Sequence, residues 1–520
     1  MFLFILQANA WVAILVGSFT LGLSALLAQR KEHSLDSLSF LSLPISWVKK
    51  RFNRWLFLFN GPNMIQDGYD KAKGVPYEVS SPDTRYIFVS KAAHITEIDR
   101  APDSVLSLQA AAKQLLQPKY TMHNFNWFDQ RGIDGTPLVR TLRTLLTNNV
   151  PEILPEIRMA ISDLFDRTHD SHPIIDGVKA SPLNLMVKEA VVYSNALAFF
   201  GPELAHNKEF LTAGTDFIEN TLLIAEVLRL LPKALAPTVG KLMSRCFSGQ
   251  RVLHDTLVPV AEQRLLERTQ QKLGHKSVEH KDCIQWVMEC SPKQKPWSAE
   301  RIVHELMALW FGSVHILATT ICFAIQDLCL HPEYIDILRQ ELESPEWSKF
   351  ERTGKGLPLL DSFIKESART TPVESMGSRR LALQPFMLSD GSKIEIGDWV
   401  CTPPRAMMRD PANYAQPLEF HGFRFVEPKH FEALGLREFQ LPQPAKPSEL
   451  TSVPDWQLWG TGRMACPGRF YAAAMMKTIL GLFITKYDCQ LSDPESPRWI
   501  TWRTFNYPHP STKVTLNPRQ

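Results

Sequence analysis

The chain has 520 residues, 44% of them hydrophobic and 21% charged, with 29 Phe and 13 Trp. That is enough apolar surface for a large core, and it excludes a disordered chain or a small stapled scaffold. Lys and Arg number 57 against 54 Asp and Glu, a net charge of +3, which argues against nucleic-acid binding as the main role. The eight cysteines form no CxxC pair and there is no Asn-x-Ser/Thr acceptor. The thiols therefore read as reduced and acting singly in a body that faces the cytosol.

Residues 1–29 contain no Asp, Glu, Lys or Arg, and the apolar run Phe2 to Ala28, about 27 residues, is long enough to cross a ~30 Å hydrocarbon core. A cleaved signal peptide would want a basic start and a shorter run. Arg30, Lys31, Lys49, Lys50, Arg51 and Arg54 follow, which puts the rest of the chain on the cytosolic side. The expected organisation is a membrane anchor at 1–29, a basic and aromatic linker at 30–59, and one domain at 60–520. In the linker, Trp47, Trp55, Leu56 and Phe57 are placed to rest on the membrane surface.

The body opens with short strand candidates, Tyr77–Ser80 and Arg85–Ser90, around the turn Ser81-Pro82-Asp83. Apolar residues at three and four spacing then predict helices over Pro137–Leu146, Leu185–Phe200 and Leu253–Gln271. Strands return at Phe386–Leu388, Lys393–Ile396 and Trp399–Thr402. The fold class is mainly α with small β-sheets.

The longest predicted helix starts at the N-cap candidate Ser298 and ends at Leu330, before His331-Pro332. Leu306 to Ile325 carries no charge, so a second membrane span is one reading. The other is a buried helix whose small and polar notch, Gly312, Ser313, His315, Thr319 and Thr320, passes close to a flat ligand, with positions 312, 315, 316, 319 and 320 expected on one face. Leu359–Thr370 is a further helix, with Glu366 and Arg369 at the edge of its apolar stripe. A partly buried ion pair there must be well hydrogen-bonded; an ordinary surface pair is the other reading of a lone Glu-x-x-Arg.

The strongest local signal is Trp459-Gly460-Thr461-Gly462-Arg463-Met464-Ala465-Cys466-Pro467-Gly468-Arg469, followed by a helical run to Tyr487. Two glycines permit a tight turn and close approach to a ligand. A cysteine at a helix entrance is expected to favour the thiolate, and a thiolate presented singly suits an axial ligand to heme iron.

With these residues in view, the chain resembles a cytochrome P450 of the microsomal, fungal type. The segment from Trp459 to Gly468 is similar to the family's FxxGxxxCxG loop, with Trp459 in place of Phe. Glu366-x-x-Arg369 is similar to its ExxR helix, and Phe420 to Phe425 resembles the segment whose arginine, here Arg424, completes a Glu-Arg-Arg network. The resemblance implies the P450 fold with Cys466 as the metal ligand, Glu366, Arg369 and Arg424 as a structural network holding the loop, and Trp459, Gly462, Arg463 and Gly468 around heme b. Arg380 or its neighbour Arg379, and Arg140 or Arg143, are implied as propionate partners. Many relatives carry Arg or His two positions before the cysteine, where this chain has Met464, so one contact is missing unless Arg463 supplies it. The family's oxygen-binding threonine falls at Ile316, which has no hydrogen to donate. His315, Thr319 and Thr320 are the candidate replacements, with Gly312, Val373, Glu374, Ser375, Met376, Thr504, Phe505 and Asn506 as pocket candidates.

The implied activity is that of a monooxygenase in the endoplasmic reticulum membrane, single-pass with a lumenal N-terminus. It takes NADPH electrons through the FAD and FMN of cytochrome P450 reductase, with cytochrome b5 as an accessory donor. Its implied substrate is a lipophilic natural product such as a terpenoid, meroterpenoid or indole-diterpene of fungal secondary metabolism. The missing threonine keeps open a heme-thiolate isomerase, dehydratase or peroxide-using enzyme, and a non-catalytic heme- or lipid-binding membrane protein.

Overall fold

Caps and apolar spacing account for most of the helices. The computed structural model describes residues 45–519 apart from 172, 173, 176, 177, 277, 436–440, 454 and 455. The expected anchor at 1–29 and the first half of the linker lie outside the described residues. The chain enters through helix α1 (Ile45–Ala72), which kinks at Asn60, φ −132°, just before Pro62. Proline removes a helical donor and crowds the turn before it. The expected boundary between residues 59 and 60 therefore falls inside a helix. Phe57 and Leu58 are fully buried, and the Phe57 ring stacks on Tyr86 at 5.4 Å. Phe57 is thus taken up by the core and does not rest on a membrane surface, because the neighbouring sheet offers an aromatic face to cover. Phe52, Leu56 and Phe59 stay exposed.

That sheet comprises β1 (Tyr77–Ser80), β2 (Arg85–Phe88), β3 (Leu106–Ser107), β4 (Gly377–Ala382) and β5 (Trp399–Thr402), in the order β1-β2-β5-β4-β3. β2 and β5 run parallel, with Tyr86 opposite Trp399. The antiparallel β4–β5 register shifts between Gly377 and Arg380, and this irregularity brings both Arg379 and Arg380 to the wall of the main cavity.

The helical body comprises α2 (Leu183–Phe200), α3 (Lys208–Leu230), α4 (Gly249–Lys272), α5 (Ala299–Leu330), α6 (Pro358–Thr370) and α7 (Arg469–Lys486). α5 is the predicted long helix, and the Ser298 hydroxyl caps it by accepting from Arg301 N at 3.2 Å. Its mean hydropathy reaches 1.8 over a window of which 61% is buried inside the protein. Trp310, Cys322, Phe323 and Ile325 have no exposed surface. The apolar run is therefore satisfied by α2, α4, α6 and α7 packing around it, and it is a core helix rather than a second span.

Candidate active site

Two short 3-10 turns, Gln457–Trp459 and Gly462–Met464, fold the cysteine loop back on itself. Cys466 N donates to Trp459 O at 2.7 Å, and the Trp459 indole N–H donates to Leu450 O at 2.7 Å. Gly462 has φ +55°, and a Cβ there would lie 2.7 Å from the Asp99 carboxylate. Glycine is required on both counts. Cys466 sits just before α7 and lines the main cavity. Burial pushes its thiol above the ordinary value; the amides of Gly468 and Arg469 and the charges of Arg469 and Arg143 pull the other way without overcoming it. Desolvation of the charged sulfur thus works against the thiolate that the helix entrance favours. A cation bound at the sulfur would deprotonate it outright.

Behind the loop, α6 carries a saturated network. Arg369 donates to both Glu366 oxygens at 2.7 and 2.8 Å, and Arg424 Nε donates to the same two at 3.0 and 3.1 Å. His421 N adds a bond at 2.9 Å. The remaining guanidinium donors reach the carbonyls of Met408, Pro417, Glu419 and Gln416. Glu366 and Arg369 are completely buried, and such a pair is tolerated because each polar atom is matched. Among the described residues this triad clamps residues 408–421. Two neighbours on α6, missed in the sequence, make the closer link. Lys365 donates to Ser448 Oγ at 2.7 Å and Glu449 O at 2.9 Å. Asp361 accepts from Leu450 N at 2.6 Å and from Lys477 on α7 at 2.7 Å. Leu450 then holds Trp459, and Trp459 holds Cys466. Buried Lys and Asp at helical spacing in an apolar helix were the signal.

The main cavity measures about 600 Å³. Gly468 on the cysteine side and Gly312 on α5 both line it, and a Cβ on either would meet open space. Ile316, on a core helix, is 43% exposed because it looks into the same space. Of the predicted notch, Gly312, Ser313, Ile316 and Thr320 line the cavity, whereas His315 and Thr319 border a separate small pocket with Lys188, Glu219 and Tyr507. The single-face expectation is corrected. At 100° per residue the polar arc is too wide to face one space, and α5 is wedged between two. His315 is held neutral by burial, its value down to about 4, and its Nε2 is buried without a partner. The Thr320 hydroxyl donates to Ile316 O at 2.9 Å. Ser313 joins a chain that sequence reasoning missed: Tyr471 OH donates to Asn195 Oδ1 at 2.9 Å, Asn195 Nδ2 to Ser313 Oγ at 3.1 Å, and Ser313 to Trp310 O.

Arg379 and Arg380 line the cavity; Arg379 pairs with Glu374, and Arg380 reaches Asp99 at 3.3 Å. Arg140 and Arg143 do not line it. Leu138, Val139, Leu142 and Leu146 occupy the inward face of their helical turn, and Arg143 is spent on Arg463 O at 3.1 Å. Arg463 also points away, to Ala101 O and Asp103. The guanidinium that does reach the cavity beside Met464 is Arg131, whose Nη1 contacts Met464 Sδ at 2.8 Å. Trp459 and Gly468 line the cavity and Gly462 does not. Val373, Glu374 and Met376 do, while Ser375, Thr504, Phe505 and Asn506 form the layer behind, with Thr504 donating to Glu374 at 3.1 Å. Arg301 and Glu305 add an unanticipated charged pair on the cavity wall, 2.7 Å apart, with the Glu305 carboxyl raised by burial to about 7.

The Cys466 sulfur and Gly468 on one side of the cavity and Gly312 on the other, with the guanidinium groups of Arg131, Arg379 and Arg380 among those at its wall, fit heme with its thiolate ligand and two carboxylates. This is the arrangement of a heme-thiolate oxidoreductase. The chain belongs to the cytochrome P450 family, whose model matches residues 140–516, and it is a P450 monooxygenase. It is 27% identical over 509 residues to the ent-kaurene oxidase P450-4 of Gibberella fujikuroi, covering 94% of each chain. It is 26% identical over 462 residues to the cytochrome P450 monooxygenase paxP of Penicillium paxilli, covering 87% of this chain and 84% of that one. Retinoic acid bound cyanobacterial CYP120A1 superposes with a TM-score of 0.63 at 17% identity, over 89% of this chain and 97% of that one, which shows the fold.

Proposed function

We propose that the protein oxidises a lipophilic natural product of the terpenoid, meroterpenoid or indole-diterpene kind at heme held by Cys466. Heme bound through that sulfur supplies dioxygen activation and insertion of one oxygen atom, using two NADPH electrons delivered by a reductase's FAD and FMN, with cytochrome b5 as an accessory donor. The observation that carries this reading is that Cys466, Gly312 and Ile316 open onto one largely apolar cavity. The named activities of the ent-kaurene oxidase relatives support a terpenoid substrate, as does this apolar lining.

In this reading Arg131, Arg379 and Arg380 pair with the heme carboxylates, Arg131 taking the place left by Met464. Leu309, Ile316, Leu317 and Val373 orient the substrate and keep water from it. Thr320 Oγ1 and Ser313 Oγ hold protons at the cavity, and Asn195 and Tyr471 orient Ser313 from behind. The uncharged run 1–29 anchors the enzyme in the endoplasmic reticulum membrane with the catalytic body in the cytosol. Membranes containing the protein and its reductase should consume NADPH and O2 and convert a component of lipid extract. Ile316, turned into the cavity where the family resemblance implies a threonine, favours a second reading: a peroxide-using enzyme or isomerase that needs no reductase. Product formed without NADPH would select it.

A further inference from the structure

Away from the cysteine, three histidines from distant parts of the sequence converge: His123, in the segment between residues 121 and 125, His254 on α4 and His304 on α5. One ligating nitrogen from each lies within 4.8 Å of the others. The His123 and His254 rings stack at 3.7 Å, and His254 and His304 lie 5.6 Å apart. Both His123 Nδ1 and His254 Nε2 are buried without any hydrogen-bond partner, and His254 is nine-tenths buried. Lone pairs shut away in this manner carry a desolvation cost that a bound cation would repay.

The surroundings set the tautomers that ligation needs. His254 Nδ1 lies 3.3 Å from the Asp255 carboxylate, which can only accept, so the proton sits on Nδ1 and the Nε2 lone pair is free. His304 Nε2 lies 3.2 Å from the His123 carbonyl, which likewise places the proton on Nε2 and leaves Nδ1 free. Partners of this kind behind a ligating imidazole fix its orientation. His123 itself has φ +47° and Asn124 φ +61°, and the turn is pinned to α4 by Gln250, which accepts from His123 N at 2.7 Å and donates to Tyr120 O at 3.0 Å. Gln250 and His254 are four residues apart on one helix face, so a single face of α4 both holds the turn and presents a ring to it. Phe125 stacks on His304 at 4.7 Å. Glu300 and Asp255 bring negative charge and Arg251 positive charge to the cluster.

We propose that His123, His254 and His304 bind a borderline divalent transition-metal ion, of which zinc is the representative, with water in the fourth position. Three neutral imidazoles are a donor set suited to zinc, copper or nickel. At Zn–N distances of about 2.0–2.1 Å the rings must draw together by on the order of 1 Å from their present spacing. The consequence reaches the main cavity. The turn at His123 runs directly into Trp127 and Phe128, which line the cavity, and His304 lies one turn from Arg301 and beside Glu305. An ion at this site ties that wall to α4 and α5, so its occupancy controls how firmly the cavity closes on a ligand.

The test uses the full-length, heme-loaded protein, stripped with chelator and re-equilibrated with Zn2+ alone. The expected result is one zinc per chain beyond the heme iron, with an X-ray absorption shell of N and O near about 2.0 Å and outer-shell imidazole scattering. His254→Asn and His304→Asn should each weaken zinc binding at least about tenfold while leaving the reduced-CO spectrum unchanged. Removing zinc from the wild-type protein should weaken spectrally detected ligand binding by a few-fold. Absence of stoichiometric zinc, an absorption shell without imidazole, or equal zinc retention in both variants would each overturn the site. The absorption spectrum of the wild-type protein decides the matter even if a variant fails to fold.

Discussion

The two walls of the cavity are built on opposite principles. On the cysteine side every buried charge is matched: Glu366 takes five hydrogen bonds from Arg369, Arg424 and His421, and Lys365 and Asp361 are equally engaged. On the α5 side the stretch from Leu306 to Ile325 carries no charge, and Ile316 stands open to the cavity. The difference teaches where tolerance lies. Removing one member from a saturated buried network strands its partners, whereas a side chain facing open space can change without disturbing anything else.

The sharpest way to break this comparison is at the sulfur. Cys466→Ser should abolish the red-shifted reduced-CO absorbance band and the monooxygenase activity; persistence of the band would mean that another residue holds the iron. Next comes the network: Glu366→Gln should cost about 3–5 kcal/mol, the penalty for leaving two buried guanidinium groups without their anion, read as a shift in the urea midpoint together with loss of bound heme. Lys365→Met is expected to act through the cysteine loop, lowering heme retention more than the urea midpoint. An unaltered heme content in that variant would remove Lys365 from the link to Trp459.

On the α5 side the effects are smaller and functional. Ile316→Thr keeps a β-branched side chain in the helix, so the fold should be unchanged while the ratio of product formed to NADPH consumed shifts. A constant ratio would transfer proton delivery to Thr320 and Ser313. Glu305 supplies a pH signature. Its folded value of about 7 lies above the ordinary value of 4.5, so between these two pH values the folded protein retains a proton that the unfolded chain has lost. Stability should fall as pH rises through that window and level off above it. Glu305→Gln should flatten the fall, as measured by denaturant midpoints at pH 5 and pH 8. Smallest of all, His315→Gln should leave turnover within about twofold, because the ring faces the second pocket; a larger loss would place a proton path across α5.

Composition and spacing determined a mainly helical body, the long helix from Ser298 to Leu330, the helix carrying Glu366 and Arg369, and the loop at Cys466, because caps, glycines and 3.6-residue periodicity are local physics. Three ordered motifs carried the family resemblance for the same reason: each is contiguous. Tertiary structure alone decided the rest. It put Phe57 into the core, turned His315 and Thr319 away from the cavity, sent Arg143 and Arg463 to other partners, and brought Arg131, Arg301 and Glu305 to the cavity wall. It also gathered His123, His254 and His304, which stand 131 and 50 positions apart in consecutive steps along the chain. Which way a side chain faces depends on the elements packed around its own, and a neighbour distant in sequence leaves no trace in local pattern. A helix with one apolar neighbour has a legible inside; α5, wedged between two spaces, has two, and only packing separates them.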